Sequence, residues 1–335
     1  MRNRPEATAQ YGMCHTLWAV VSARPFKCRK YIKYVKEIKK IMESNIKTVK
    51  LPDGSEMPKL GQGTWQMAED DAKMEREIAG LRHGIERGIR MIDTAEMYAE
   101  GKAESLAGDA IKGLDRSELY IVSKVYPQNA NKKHMFSSLE RILKLLGTDY
   151  LDMYLLHWRE DADLAEMVWC MEKLKDEGKI KRWGVSNFDV ADMEDLWKVP
   201  DGHRCVMNQV LYNLGTRGIE YDLIPWQREH GVPFTAYSPV GQAGALVTQD
   251  GVSKAQMMSD KNVNEVAARL GVSVVQLLLA FSMRFDDFAS IPKAVGFDHI
   301  DENAAALDIA LSDADIEQLS ASFPAPLKKI EIEKY

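Results

Sequence analysis

The chain has 335 residues, 45% of them apolar and 28% charged, enough for one large barrel or two smaller domains around a substantial core. Its net charge of −6 is unevenly placed: residues 1–41 hold ten Lys/Arg against two acids, so the remaining body is acidic and ill suited to broad nucleic-acid binding. The four cysteines (Cys14, Cys28, Cys170, Cys205) form no CxxC pair and the seven histidines no HExxH, so neither a disulfide framework nor a metal site is indicated, and a reducing, cytoplasmic compartment fits.

Residues 1–46 read as a basic extension outside the fold, either disordered or a start assigned upstream of Met42. A membrane-binding or nucleic-acid-binding arm and an organelle-targeting segment are the alternatives. The apolar run from Leu17 to Val21 is too short to span a membrane, and no other stretch has membrane length.

A single domain is expected over 47–335. It opens with IKTVKLPDGSEMPKL, where a Pro-Asp-Gly turn between two extended runs predicts a hairpin. LGQGTW is the first strand, followed by a helix near 70–87. RMIDTAEMY, a helix near 102–112, ELYIVSKV and an amphipathic helix near 131–146 come next. The fourth strand is YLDMYLLHW, whose helix sets Leu164, Met167, Val168, Met171 and Leu174 on one face. KRWGVSNF, a short helix, RCVMNQVLYNL, a helix near 218–230 and VPFTAYSPV continue the alternation. After GQAGALVTQDGV, helical sequence at 262–284 leads into ASIPKAV and the helix FDHIDENAAALDIA. Strands such as YLDMYLL are almost wholly apolar, as parallel strands buried on both faces are. Eight strands alternating with helices imply a (β/α)8 TIM barrel with an N-terminal hairpin. NVNEVAARLGVSVVQLLLAF has the outline of a helix-turn-helix, but its second helix is too apolar to read a groove and suits a packed crossover.

In such a barrel the strand C-termini share one mouth, where charged residues read as catalytic. Asp93, Tyr98, Lys124 and His157 all stand at or just beyond strand ends. Singly each has a plain structural reading: a turn cap, an amphipathic wall, a solvated lysine, a core histidine. Together they suit proton delivery to a carbonyl oxygen. A free phenol has a pKa of about 10, and a nearby Lys124 ammonium is expected to lower it. Asp93 would hold Lys124, and His157 would orient the carbonyl and stabilise its developing charge.

GQGTW, IDTAEMY, IVSKV, LLHW, GVSNF, NQVLYNL, AYSP and IPKAVGFDHIDEN stand in the same order as in the aldo-keto reductase superfamily, which the chain resembles from about Thr48 to about Pro326. The resemblance implies a nicotinamide cofactor held across the barrel mouth, with no GxGxxG-type site. It makes Tyr98 the general acid of a tetrad completed by Asp93, Lys124 and His157. Ser186, Asn187 and Gln209 would meet the carboxamide and Tyr237 would stack on the nicotinamide. Gly63, Thr64, Asp93, Ser238 and Val240 are further cofactor positions, and Lys293 matches the residue that pairs with the adenosine 2′-phosphate. Many NADPH-preferring relatives carry Ser or Thr after that lysine and Arg six residues beyond it. Here Ala294 and His299 stand there, so NADPH is expected to be preferred with NADH use possible. Glu302 and Asn303 match adenine-contact positions. Trp65, Tyr126 and Trp158, with His157, would line the substrate slot.

The implied activity is NADP-dependent reduction of aldehydes and small ketones, of the alcohol dehydrogenase (NADP+) type, by a monomer acting on a small carbonyl compound. The short tail after Pro324 resembles compact microbial members acting on methylglyoxal-like aldehydes or keto sugars. A nicotinamide-binding regulatory subunit without turnover and a Schiff-base lyase using Lys124 are the competing readings.

Overall fold

The computed structural model describes residues 47–241 and 252–332. The basic extension lies outside the described residues, as does most of the stretch GQAGALVTQDGV.

Thr48–Lys50 (β1) and Glu56–Pro58 (β2) pair antiparallel as the expected hairpin. Eight strands then pair in parallel, each with the next: Gly61–Gly63 (β3), Met91–Asp93 (β4), Tyr120–Val125 (β5), Met153–Leu156 (β6), Trp183–Ser186 (β7), Asn208–Leu211 (β8), Phe234–Tyr237 (β9) and Phe288–Ser290 (β10). The ring is joined by the bridge Leu60↔Ser290 and by the Ser290 N–H donating to the Lys59 carbonyl at 2.9 Å. Crossover helices wrap the outside: Met74–Glu86 (α1), Lys102–Ile111 (α2), Met135–Leu146 (α3), Leu164–Asp176 (α4), Val190–Lys198 (α5) and Leu223–Glu229 (α6). Lys254–Ser259 (α7), Lys261–Leu270 (α8) and Val274–Ser282 (α9) lie between β9 and β10, and Phe297–Ala306 (α10) and Asp313–Ser322 (α11) follow.

The two-residue period of a strand divides each barrel strand between two apolar layers. Ile92, Ile121, Tyr154, Leu156 and Val185 face outward into the layer shared with the helices. Met91, Val122, Met153 and Leu155 face inward, where they pack with Val49, Leu51 and Met57 of the hairpin segment. The hairpin therefore plugs the end of the barrel where the strands begin. The end of the barrel where the strands finish is left open to hold a site.

The stretch 262–284 keeps the two-helix outline that the sequence shows, bent by 94°, because Gly271 turns left-handed (φ 69°) and Ser273 starts α9 with a capping box. Leu277–Phe281 of α9 are buried, the place expected of a packed crossover rather than a recognition helix. The helix near 218–230 is shorter, Leu223–Glu229, preceded by a single 3-10 turn. Helices α7 and α11 are not anticipated; each buries only one or two side chains, so its apolar period is weak. Among the described residues no single helix is long and apolar enough to cross a membrane.

Candidate active site

The same period that buries Met91, Val122 and Leu155 places Asp93, Lys124 and His157 two residues further along on the inward face. Ser186 and Tyr237 end β7 and β9 on the same inward face, and Gln209 is the second residue of β8. Six side chains from six strands thus converge without any loop having to bring them together.

Lys124 is the centre. Its Nζ donates to Asp93 Oδ1 at 2.5 Å, to the Thr94 carbonyl at 2.9 Å and to Tyr98 Oη at 3.3 Å. Gln209 Nε2 donates to the other carboxylate oxygen, Asp93 Oδ2, at 2.8 Å. Both charges are about 1% exposed, so the ammonium has used its three protons and the carboxylate both its oxygens. Burial alone would lower the Lys124 pKa, but Asp93, and then Tyr98, more than restore it, and the ammonium is held charged.

Tyr98 corrects one expectation. Burial raises its pKa, and Lys124 takes back less than burial adds while Asp93 raises it further, so the net shift is upward. The phenol keeps its proton in the resting site. His157 shifts the opposite way: burial, then the Lys124 charge, holds its imidazole well below the ordinary value. It is a neutral ring with a buried Nδ1 that has no hydrogen-bond partner among the described residues.

A cavity of about 340 Å³ opens beside these groups and runs past Ser186, Asn187, Gln209 and Tyr237 to Lys293. Gly63 lines it, and a Cβ there would sit 2.9 Å from the Ile291 carbonyl, so this position has no room for a side chain. Asn187 and Ser238 reach the cavity from left-handed backbone (φ 58° and 48°), an unfavourable conformation for residues with a Cβ that clusters at functional sites. Asn187 is fully engaged as a donor: Nδ2 gives to the His157 carbonyl at 3.1 Å and Ser186 Oγ at 3.2 Å, while Oδ1 accepts from Tyr237 Oη at 2.8 Å. Ser186 Oγ donates to the Gln209 carbonyl at 2.9 Å. What Ser186 and Asn187 retain is acceptor capacity, and Gln209 retains an acceptor oxygen and one N–H. That set matches the two donors and one acceptor of a carboxamide.

The cavity also holds Trp65, whose ring meets Tyr98 edge-on at 5.0 Å, and Val240. Several expected residues stand elsewhere. Thr64 is buried with Oγ1 donating to the Asp93 carbonyl at 3.1 Å, a support for the strand end rather than a wall of the cavity. Tyr126 and Trp158 meet edge-on with ring centroids 5.7 Å apart and adjoin the cavity through His157, 4.8 Å from Trp158. Ala294 packs its methyl toward an apolar cluster with Leu60 and Ile300. His299 is exposed and lies 3.5 Å from Glu302, while Asn303 is buried; none of these three lines the cavity. Sequence reading misses Gln66, Met97, Pro239 and Lys254, which do line it. Lys254 is half-buried, and burial lowers its pKa. Its position after a long connection gave no sequence signal.

Residues 59–322 match the Aldo/keto reductase family. The methylglyoxal reductase YeaE of Escherichia coli is 47% identical over 277 residues, 83% of this chain and 95% of the relative. A glyoxal reductase of Bacillus subtilis is 31% identical over 276 residues, 82% of this chain and 92% of the relative. A crystal structure of an aldo-keto reductase from Klebsiella pneumoniae in complex with NADPH superposes with a TM-score of 0.81 at 47% identity, covering 87% of this chain and 99% of that one.

Two outcomes test the electrostatics. Asp93→Ala leaves a buried ammonium uncompensated and is expected to cost about 3–5 kcal/mol in urea unfolding. Asp93→Ala combined with Lys124→Met is expected to recover most of that loss; a double variant as unstable as the single one contradicts the pairing. The second concerns pH. Unfolded histidine titrates at about 6.5, so below that value the unfolded chain binds a proton that folded His157 resists, and stability is lost as pH falls. Glu104, raised by burial to about 7, acts in reverse and loses its contribution as pH rises to that value. His157→Gln removes only the first effect. Its urea midpoint should therefore gain on wild type as pH drops from about 7 to about 5, and a constant gap would count against a neutral buried imidazole.

Proposed function

Because the chain belongs to the aldo/keto reductase family, we propose that it reduces small aldehydes and ketones to alcohols with NADPH, and that Tyr98 supplies the proton. The observation that carries this is a buried, proton-bearing phenol 3.3 Å from an ammonium already neutralised by a carboxylate.

The cofactor, when bound, supplies hydride to the carbonyl carbon. The chain's residues do the rest. Tyr98 donates its proton to the oxygen, and the adjacent ammonium stabilises the phenolate that is left, a gain that exists only as the proton moves. Neutral His157 offers one N–H to orient the carbonyl oxygen without adding positive charge that would compete with Lys124. Asp93 fixes Lys124, and Gln209 fixes Asp93.

The cavity fits the nicotinamide end of the cofactor in its chemistry. Ser186, Asn187 and Gln209 present the complement of a carboxamide, Tyr237 offers a ring pinned through its hydroxyl, and Gly63 leaves the wall smooth. Lys293 supplies positive charge for the 2′-phosphate, whereas Ala294 offers no hydroxyl and His299 no fork of donors. NADPH is thus preferred and NADH remains usable, a reading supported by the Klebsiella pneumoniae protein in complex with NADPH. The alcohol dehydrogenase (NADP+) class follows from the same reaction run in either direction. Methylglyoxal-like aldehydes are the favoured substrates, supported by the names of the Escherichia coli and Bacillus subtilis relatives. A regulatory subunit without turnover finds no support in them. The reading includes a monomer, since one chain supplies every residue of the site, and the cytoplasm, where free buried thiols such as Cys170 and Cys205 persist.

Following NADPH absorbance with methylglyoxal is the test. Wild type should turn over, and Tyr98→Phe should lose about 10²–10⁴-fold in kcat. Equal rates for the two proteins would remove Tyr98 from the reaction.

A further inference from the structure

The turn that carries Tyr98 is the least regular backbone at the mouth. Ala99, Glu100 and Gly101 follow it at φ of 47°, 58° and 91°, and the first two carry a Cβ that disfavours this conformation. Such a segment keeps its shape only where its surroundings over-determine it. Two buried carboxylates flank it, at the second position before Tyr98 and the sixth after.

Glu96 stands before the turn. Its Oε1 accepts from the Tyr126 N–H at 2.5 Å and Asn129 Nδ2 at 3.1 Å, and its Oε2 accepts from Ser138 Oγ and lies 3.6 Å from Arg141. Glu104 stands after it, in the first turn of α2, wholly buried, and its Oε1 accepts from Ser123 Oγ at 2.7 Å. Ser123 precedes Lys124 on β5 and points to the opposite face. A closed ring results: Tyr98, its turn, Glu104, Ser123, Lys124, and back to the Tyr98 hydroxyl at 3.3 Å.

We propose that Glu104 is a positioning residue for the proton donor: its bond to Ser123 ties the element bearing Tyr98 to the strand bearing Lys124 and thereby sets their separation. Glu96 fixes the other end of the same turn. Packing alone would not call for a carboxyl here. Glu104 Oε2 is buried without a hydrogen-bond partner among the described residues, a cost that an apolar side chain would avoid. Burial raises Glu104 to about 7; Ser123 and Arg141 oppose the rise, Glu96 adds to it and Lys124 opposes it. The inference rests on Tyr98 being the donor.

The test compares kcat with methylglyoxal and NADPH affinity from tryptophan fluorescence. Glu104→Ala should lower kcat about ten- to a hundredfold, as a misplacement of catalytic groups does, with NADPH Kd within about twofold of wild type. Glu104→Gln keeps an acceptor for Ser123 and should restore most of the rate. Ser123→Ala, which removes one oxygen, should lower kcat in the same direction, and the double variant should be no worse than Glu104→Ala. Should Glu104→Ala fail to fold, Ser123→Ala and Glu104→Gln carry the comparison. Wild-type turnover in Glu104→Ala and Ser123→Ala, with Tyr98→Phe inactive, overturns the positioning role and leaves the donor in place. Turnover in Tyr98→Phe overturns the donor itself. A loss of kcat in Glu104→Ala matched by loss of NADPH binding, with Ser123→Ala silent, makes Glu104 a support of the fold only and also overturns the proposal.

Discussion

A buried lysine that cannot stand alone organises this mouth. Removing Lys124 from water costs several kcal/mol unless a partner of opposite charge and a full set of acceptors meet it. Asp93, the Thr94 carbonyl and Tyr98 are those partners, and each lies on or just after the neighbouring strand β4. Satisfying the ammonium therefore fixes β4 against β5 at their C-terminal ends and draws the phenol into place. Gln209, from the far side of the barrel, completes the Asp93 carboxylate. The arrangement that meets the cost of burial is also the one that sets a proton-bearing phenol at the barrel mouth.

Charge is distributed so that each titratable group has one task. Tyr98 is pushed toward its protonated form by burial and Lys124 is held charged by Asp93. His157 is kept neutral by burial and by the ammonium nearby. Neighbouring groups pushed apart in this manner are how a site divides acid and electrostatic roles near neutral pH. At the far end of the cavity two lysines, exposed Lys293 and half-buried Lys254, supply the positive charge.

Much of this was legible in the sequence because strands obey a strict alternation. Once RMIDTAEMY, ELYIVSKV and YLDMYLLHW are strands, Asp93, Lys124 and His157 must share a face with Met91, Val122 and Leu155. The Pro-Asp-Gly turn likewise foretold the hairpin. What escaped depends on packing or on long-range bonds. The sign of the Tyr98 shift depends on burial, which no local pattern reports. The bonds from Gln209 to Asp93 and from Glu104 to Ser123 join residues far apart in the chain. Lys254 reaches the cavity after a long connection, and α7 and α11 bury too little apolar surface to show a period.

The most direct test of the account separates the chemistry of Lys124 from cofactor binding. Turnover of methylglyoxal and NADPH Kd would be measured for wild type and Lys124→Met, the side chain that best keeps the volume while removing the charge. The ammonium acts on the phenol, so kcat should fall by about 10²-fold or more while Kd stays within about twofold. Near-wild-type turnover, or a loss of NADPH affinity large enough to explain the whole decrease, would contradict it.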